Sequence, residues 1–222
     1  MADLILTSVL SHPFGENTYI VYQQGSQQCV VVDPGLEPNK IFDAIESQNL
    51  EPVAILLTHG HSDHIGGNHA MKKRWPDLPI VIGTLDEPKL SDPDLNLSGA
   101  FGVALTSPPA DQLVNEGDTI QFAGIDFHVL YTPGHSIGHV VFVVKSETGP
   151  WHLIAGDVLF QNSIGRTDFP DGSFEQLQTA IHEKLFPMPG DTIVYPGHGP
   201  TTTIQEEIES NPFVGKPSGY VC

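Results

Sequence analysis

The sequence is short of basic residues: nine Lys and Arg stand against 27 Asp and Glu among 222 residues, a formal net charge of -18. Nucleic-acid backbones and anionic membrane surfaces are bound through clustered basic groups, so neither is an expected partner. Cysteine is scarcer still. Cys29 and the terminal Cys222 make no disulfide framework. No apolar run approaches the ~20 residues a membrane span needs. The first ten residues place Asp3 where a secretion signal would carry positive charge, and their apolar run is short. A soluble, cytoplasmic protein is expected. What is present supports a packed core, with 39% hydrophobic and 16% charged residues. No linker or low-complexity stretch divides residues 1–222, so one domain is expected. Histidine is the anomaly: eleven of them outnumber all lysines and arginines together.

Hydrophobic patterning orders the chain. Leu4–Leu10, Tyr19–Tyr22 and the β-branched run Cys29–Asp33 read as strands, and Pro34-Gly35 ends the third. Asn39–Gln48 has Ile41, Ala44 and Ile45 at helical spacing. Val53–Thr58 reads as a buried strand running into the densest histidine cluster. A helix is predicted over Gly67–Trp75 and a short strand over Ile80–Ile82. Residues 86–112, rich in Pro, Asp, Ser and Leu, read as a loop region. Thr119–Phe122 and Ile125–Tyr131 flank Ala123-Gly124 as a hairpin. Val140–Lys145, Trp151–Ala155 and Ile193–Tyr195 are further strands. Phe174–Leu185 is the clearest helix, with a capping box from Ser173 and Gln176, and Thr203 with Glu206 caps a short final helix. Two halves of similar make-up predict a layered α/β fold.

Chemistry concentrates at strand ends. In Thr58-His59-Gly60-His61-Ser62-Asp63-His64-Ile65-Gly66-Gly67, three imidazoles and a carboxylate fall within six positions. This donor set suits zinc, manganese or iron. On extended chain His59 and His61 point the same way, and a helix starting near Asp63 would let Asp63 and His64 reach a second metal. Three single candidates follow other strands: His135 after Tyr131, Asp157 after Ile154-Ala155-Gly156, and His198 within Tyr195-Pro196-Gly197-His198-Gly199-Pro200. Alone, His135 reads more readily as a solvated turn residue than as a ligand, and Asp157 reads also as a helix N-cap or turn residue. Together they are consistent, because sheets gather their functional loops along one edge. Asp33 and Thr58 are either supports for the ligand histidines or ordinary strand-end residues. His12, His69, His128, His139, His152 and His182 read as surface or core residues, His182 as solvated.

The pattern His59-x-His61-x-Asp63-His64, with His135, Asp157 and His198, resembles the metallo-β-lactamase superfamily over the whole chain. Gly156–Phe160, Gly165-Arg166-Thr167-Asp168-Phe169-Pro170 and Tyr195–Thr203 resemble its short glyoxalase II-like hydrolases. The resemblance implies a four-layer αββα sandwich with two divalent metals, zinc first, iron or manganese otherwise. His59, His61 and His135 would hold one, Asp63, His64 and His198 the other, and Asp157 would bridge them. An Asp at position 157 is similar to the dinuclear glyoxalase II type, where many antibiotic-cleaving members carry Cys.

The activity implied is hydrolysis of a small S-(2-hydroxyacyl)glutathione-type thioester by a metal-bridging hydroxide, with Asp63 able to orient it. The thiolate leaves readily because thiol pKa values lie near ~8.5. Only residues 199–222 follow His198, too few for the C-terminal helical domain of longer glyoxalase II enzymes. Arg166, the one basic residue of the motif-bearing loops, is a candidate contact to an anionic substrate. Pairing with Asp168 or packing under the loop is the stronger reading. The alternative activity is that of a persulfide dioxygenase, whose single iron would use His59, His135 and Asp157. Oligomeric state is not legible.

Overall fold

The computed structural model describes residues 3–221. Two six-stranded sheets carry the fold. The first takes β1 (Leu4–Ser11), β2 (Glu16–Gln23), β3 (Gln28–Val32), β4 (Glu51–Leu57), β5 (Ile80–Gly83) and β6 (Gln112–Val114) in chain order. Its first three strands pair antiparallel, and the ladder from β3 to β6 is parallel. The second sheet contains β7 (Thr119–Phe122), β8 (Ile125–Tyr131), β9 (Val140–Val144), β10 (His152–Gly156), β13 (Ile193–Pro196) and β14 (Thr202–Thr203). The small hairpin β11 (Leu159–Phe160) and β12 (Ser163–Ile164) stands apart.

The near-continuous apolar runs exist because both faces of each sheet are covered. In β3, Val30 and Val32 point between the sheets, where they join Leu56, Val81, Phe127, Val129, Phe142 and Ile154. Cys29 and Val31 point outward to meet Ile41 and Ile45 of α1 (Pro38–Ser47) and Met71 of α3 (Asn68–Arg74). On the second sheet's outer face, Val141, Val143, Leu153 and Val194 pack against Leu177 of α4 (Phe174–Ala180) and Ile204 and Ile208 of α5 (Ile204–Ser210). Three apolar layers between four structural ones make the expected αββα sandwich. No helix among the described residues is long and apolar enough to cross a membrane.

The helical turn expected near Asp63 does form, as the four-residue α2 (Ser62–Ile65), separate from α3. Several local expectations needed revision. The stretch 86–112 is less irregular than it reads: 3-10 turns occupy Thr84–Leu90 and Gly99–Phe101, and Gln112–Val114 adds the edge strand. The predicted Phe174–Leu185 helix widens into a π turn over Ile181–Leu185. Only half of its capping box forms, with Ser173 Oγ accepting from Gln176 N–H at 3.3 Å. The Thr203–Glu206 box is complete. His182 is half-buried rather than solvated, its Nε2 2.7 Å from the Val214 carbonyl and its ring beside Phe186 and Tyr220.

Candidate metal centre

The candidate ligands gather because their strands point the same way. β8, β10 and β13 share one direction, with β9 antiparallel between the first two. His135, Asp157 and His198 therefore leave the second sheet along one edge. The segment after β4 of the first sheet reaches the same edge with His59, His61, Asp63 and His64. His61 is extended (φ -70°, ψ 150°) and the helical turn begins at Ser62. That change of conformation separates the two pairs, as the spacing suggests.

All seven candidates meet there. One ligand atom each from His59, His61 and His135 lie within 4.8 Å of one another, and so do those of Asp63, His64 and His198. His61 Nδ1 faces His135 Nε2 at 2.9 Å. His198 Nε2 lies 3.4 Å from Asp63 Oδ2. Asp157 spans the groups: its carboxylate is 3.4 Å from His135 Nε2 and 3.5 Å from the Nε2 atoms of both His64 and His198. Gly197 permits this approach, because a Cβ there would fall 2.8 Å from His64 Cε1.

Buried atoms left without a partner test whether a metal pair fits. His59 Nε2, His64 Nε2 and Asp157 Oδ1 are buried and make no hydrogen bond among the described residues. An unpaired buried polar atom is costly, so such a cluster fits cations as the missing partners. The outward nitrogens are occupied instead. His59 Nδ1 lies 3.1 Å from Thr58 Oγ1, His64 Nδ1 3.1 Å from Asp33 Oδ2, and His135 Nδ1 2.9 Å from the Arg166 carbonyl. A proton on each Nδ1 leaves the Nε2 lone pair facing the centre. Asp33 and Thr58 thus orient the candidate ligand rings of His64 and His59, since Asp33 also accepts from Thr58 N–H (2.8 Å) and Thr58 Oγ1 (2.6 Å).

Electrostatics separates the groups. Burial, helped by neighbouring imidazoles, holds His59 and His61 well below the ordinary imidazole range. Burial also disfavours charge on His64, but Asp63 and Asp157 override it and raise the proton affinity. Asp63 shows the reciprocal balance: burial opposes ionisation, yet the His64 charge and the His198 hydrogen bond bring it down to about 2. The ionised Asp63 carboxylate and the neutral His59 and His61 rings, with His64 giving up its proton to an incoming cation, form a donor set for divalent transition metals.

Residues beyond the sequence motif complete the walls. Phe169 sets its ring edge-on to His61 (5.3 Å) and His135 (5.7 Å), and Phe160 does so to His198 at 6.0 Å. Arg166 is exposed, bonded bidentately to Asp168 at 2.9 Å and 2.9 Å, with its guanidinium 4.6 Å from the Phe169 ring centroid. Buried Asp86 accepts from Gly60 N–H, Gly138 N–H and Ser136 Oγ at 2.6–2.8 Å, tying the His59–His64 loop to the His135 loop. Sequence reasoning missed Asp86 because nothing in its neighbourhood marks a contact 50 residues away.

The sequence profile of the metallo-beta-lactamase superfamily matches residues 12–198. The chain is 41% identical over 203 residues to a "probable metallo-hydrolase", YqgX, of Bacillus subtilis, covering 91% of this chain and 93% of that one. It is 34% identical to the hydroxyacylglutathione hydrolase GloC of Haemophilus influenzae, covering 92% and 95%. Among solved structures, the BLEG-1 B3 metallo-beta-lactamase superposes with a TM-score of 0.89 at 38% identity over 95% of this chain and 99% of that one. TTHA1623, in a di-iron-bound form, does so with a TM-score of 0.79 at 38% identity, over 93% and 99%.

Proposed function

The chain belongs to the metallo-beta-lactamase superfamily, and from that premise we propose that this metal-dependent hydrolase is a cytoplasmic thioesterase acting on S-(2-hydroxyacyl)glutathione-type substrates. The metals proposed are two zinc ions, with His59, His61 and His135 around one, Asp63, His64 and His198 around the other, and Asp157 between them. One observation carries the dinuclear reading: the Asp157 carboxylate lies 3.4–3.5 Å from ring nitrogens of both histidine groups. Identity to a hydroxyacylglutathione hydrolase supports the choice of substrate.

Metals bound there would supply Lewis acidity and lower the pKa of a coordinated water toward neutrality. The chain's own residues then have distinct tasks. Asp157 fixes the spacing of the two ligand groups. Asp63, partly exposed and fully ionised near neutrality, can hold the attacking water's proton on Oδ2. Phe169 and Phe160 wall the centre with apolar rings, which limits competing water. No general acid is required at the leaving group, because a thiol with pKa near ~8.5 departs as thiolate. The net charge of -18 argues against nucleic acid, but not against a small anionic thioester entering a cleft that concentrates cations.

The test is thiol release from S-D-lactoylglutathione and from several non-glutathione thioesters, together with metal content. The reading expects hydrolysis that chelation abolishes and zinc restores, fastest with the glutathione thioester. No thioester turnover by metal-replete protein would refute it. One iron per chain with oxygen uptake would replace it by the dioxygenase reading.

A further inference from the structure

His139 lies four residues beyond His135, in the loop between β8 and β9, and its side chain is fully buried. It contributes no atom to either ligand group. Its ring touches the centre from behind. Nε2 accepts the Asp157 backbone N–H at 3.1 Å, and Nδ1 lies 3.2 Å from Thr132 Oγ1. One ring face stacks on His59, with centroids 4.9 Å apart and planes inclined by 22°. Because Nε2 accepts from an amide, the ring proton sits on Nδ1 and points at Thr132.

The backbone that His139 holds is unusual. Gly156, immediately before Asp157, has φ +47°, and a Cβ there would fall 2.8 Å from His139 Nε2 and collide with Thr58 Oγ1. The strand therefore leaves β10 in a conformation that excludes side chains, pressed against His139 and Thr58. The next residue is the one whose carboxylate must reach both ligand groups. Its amide is aimed by a single side-chain acceptor.

We propose that His139 is a positioning residue: its Nε2 fixes the Asp157 amide, and through it the carboxylate that bridges the two metal sites. The proposal rests on the dinuclear reading above. It assigns His139 a task that a packing role would not require, namely an acceptor at the Nε2 position. Two substitutions separate these roles. His139→Gln keeps an amide oxygen near the Nε2 position, whereas His139→Asn keeps a polar group near the Nδ1 position, facing Thr132, and withdraws the acceptor from Asp157.

The experiment is zinc binding by competition with a chromophoric chelator, with cobalt-substituted spectra as a second signal. Metal-free melting of each variant controls for folding. The expected result is two zinc ions in wild-type protein and in His139→Gln. In His139→Asn the weaker site should lose about 10–100-fold in affinity, the range found when a ligand's supporting hydrogen bond is removed, with a changed cobalt spectrum. Equal zinc affinity in the Asn variant and the wild type would overturn the proposal, as would a Gln variant no better than Asn. A wild-type protein binding fewer than two metals would overturn the dinuclear reading and this proposal with it. Wild-type binding of two with indifferent variants would overturn the His139 role alone.

Discussion

Individual side chains show where chemistry is legible in sequence and where it is not. The candidate ligand histidines and Asp157 announce themselves by type and by position at strand ends. Asp33 does not: only the folded chain shows its carboxylate accepting from Thr58 and from the His64 ring. It does so from a left-handed backbone, φ +50°, that an Asp tolerates better than most residues. Arg166 stands between these cases. Its donors are committed to Asp168 and its plane to Phe169, yet both members of the ion pair are two-thirds exposed. Exposed pairs contribute little, so Arg166→Ala should leave the chemical-unfolding midpoint close to the wild-type value. If the guanidinium serves the loop alone, KM for S-D-lactoylglutathione also stays near the wild-type value. A large rise in KM at unchanged kcat would assign Arg166 to the substrate's carboxylates.

At the scale of elements, strands with apolar runs and the capped helices were legible because their periodicity is local. β3, β4 and the β7–β8 hairpin fall where the residues place them. The two- and three-residue strands β6, β11, β12 and β14 have too few positions to show a period. Nor does any local signal reveal how loops are tied together. Asp86, fully buried within a turn that reads as loop, binds the backbones of both histidine loops. Beside it, buried Lys89 reaches Ser136 at 2.7 Å and Asp171 at 2.6 Å, which pins the Arg166–Asp171 segment to the same hub. Asp86→Ala strips two buried amides, a hydroxyl and a nearby ammonium of a partner. The expected cost is about 3–5 kcal/mol, the range for breaking a buried charged pair, read by chemical unfolding of metal-free protein. A loss below about 1 kcal/mol, the scale of one ordinary hydrogen bond, would show that the loops hold together without the hub.

The whole molecule gathers eleven histidines into one acidic chain and brings six of them to one edge of the sandwich. Without metal, burial keeps His59, His61, His135 and His139 below the ordinary imidazole range. Carboxylates lift His64 and His198 above it, against the opposing effect of burial. A depressed imidazole gains its proton only on unfolding, so it removes stability as pH falls below ~6.5. A raised one contributes stability in acid that is lost as pH rises. The raised carboxyl of buried Glu16 acts in the same sense as the two raised imidazoles, so the two sets oppose one another between pH 5.5 and pH 7.5. In the proposed dinuclear centre, Asp157 joins two metals into one hydrolytic site. Elemental analysis of wild-type protein and Asp157→Ala, run beside the thioester assay, reads that role. Two metals per chain are expected in the wild type, and one or fewer in the variant with hydrolysis lost; a variant that keeps both metals and full activity would rule out a bridging Asp157.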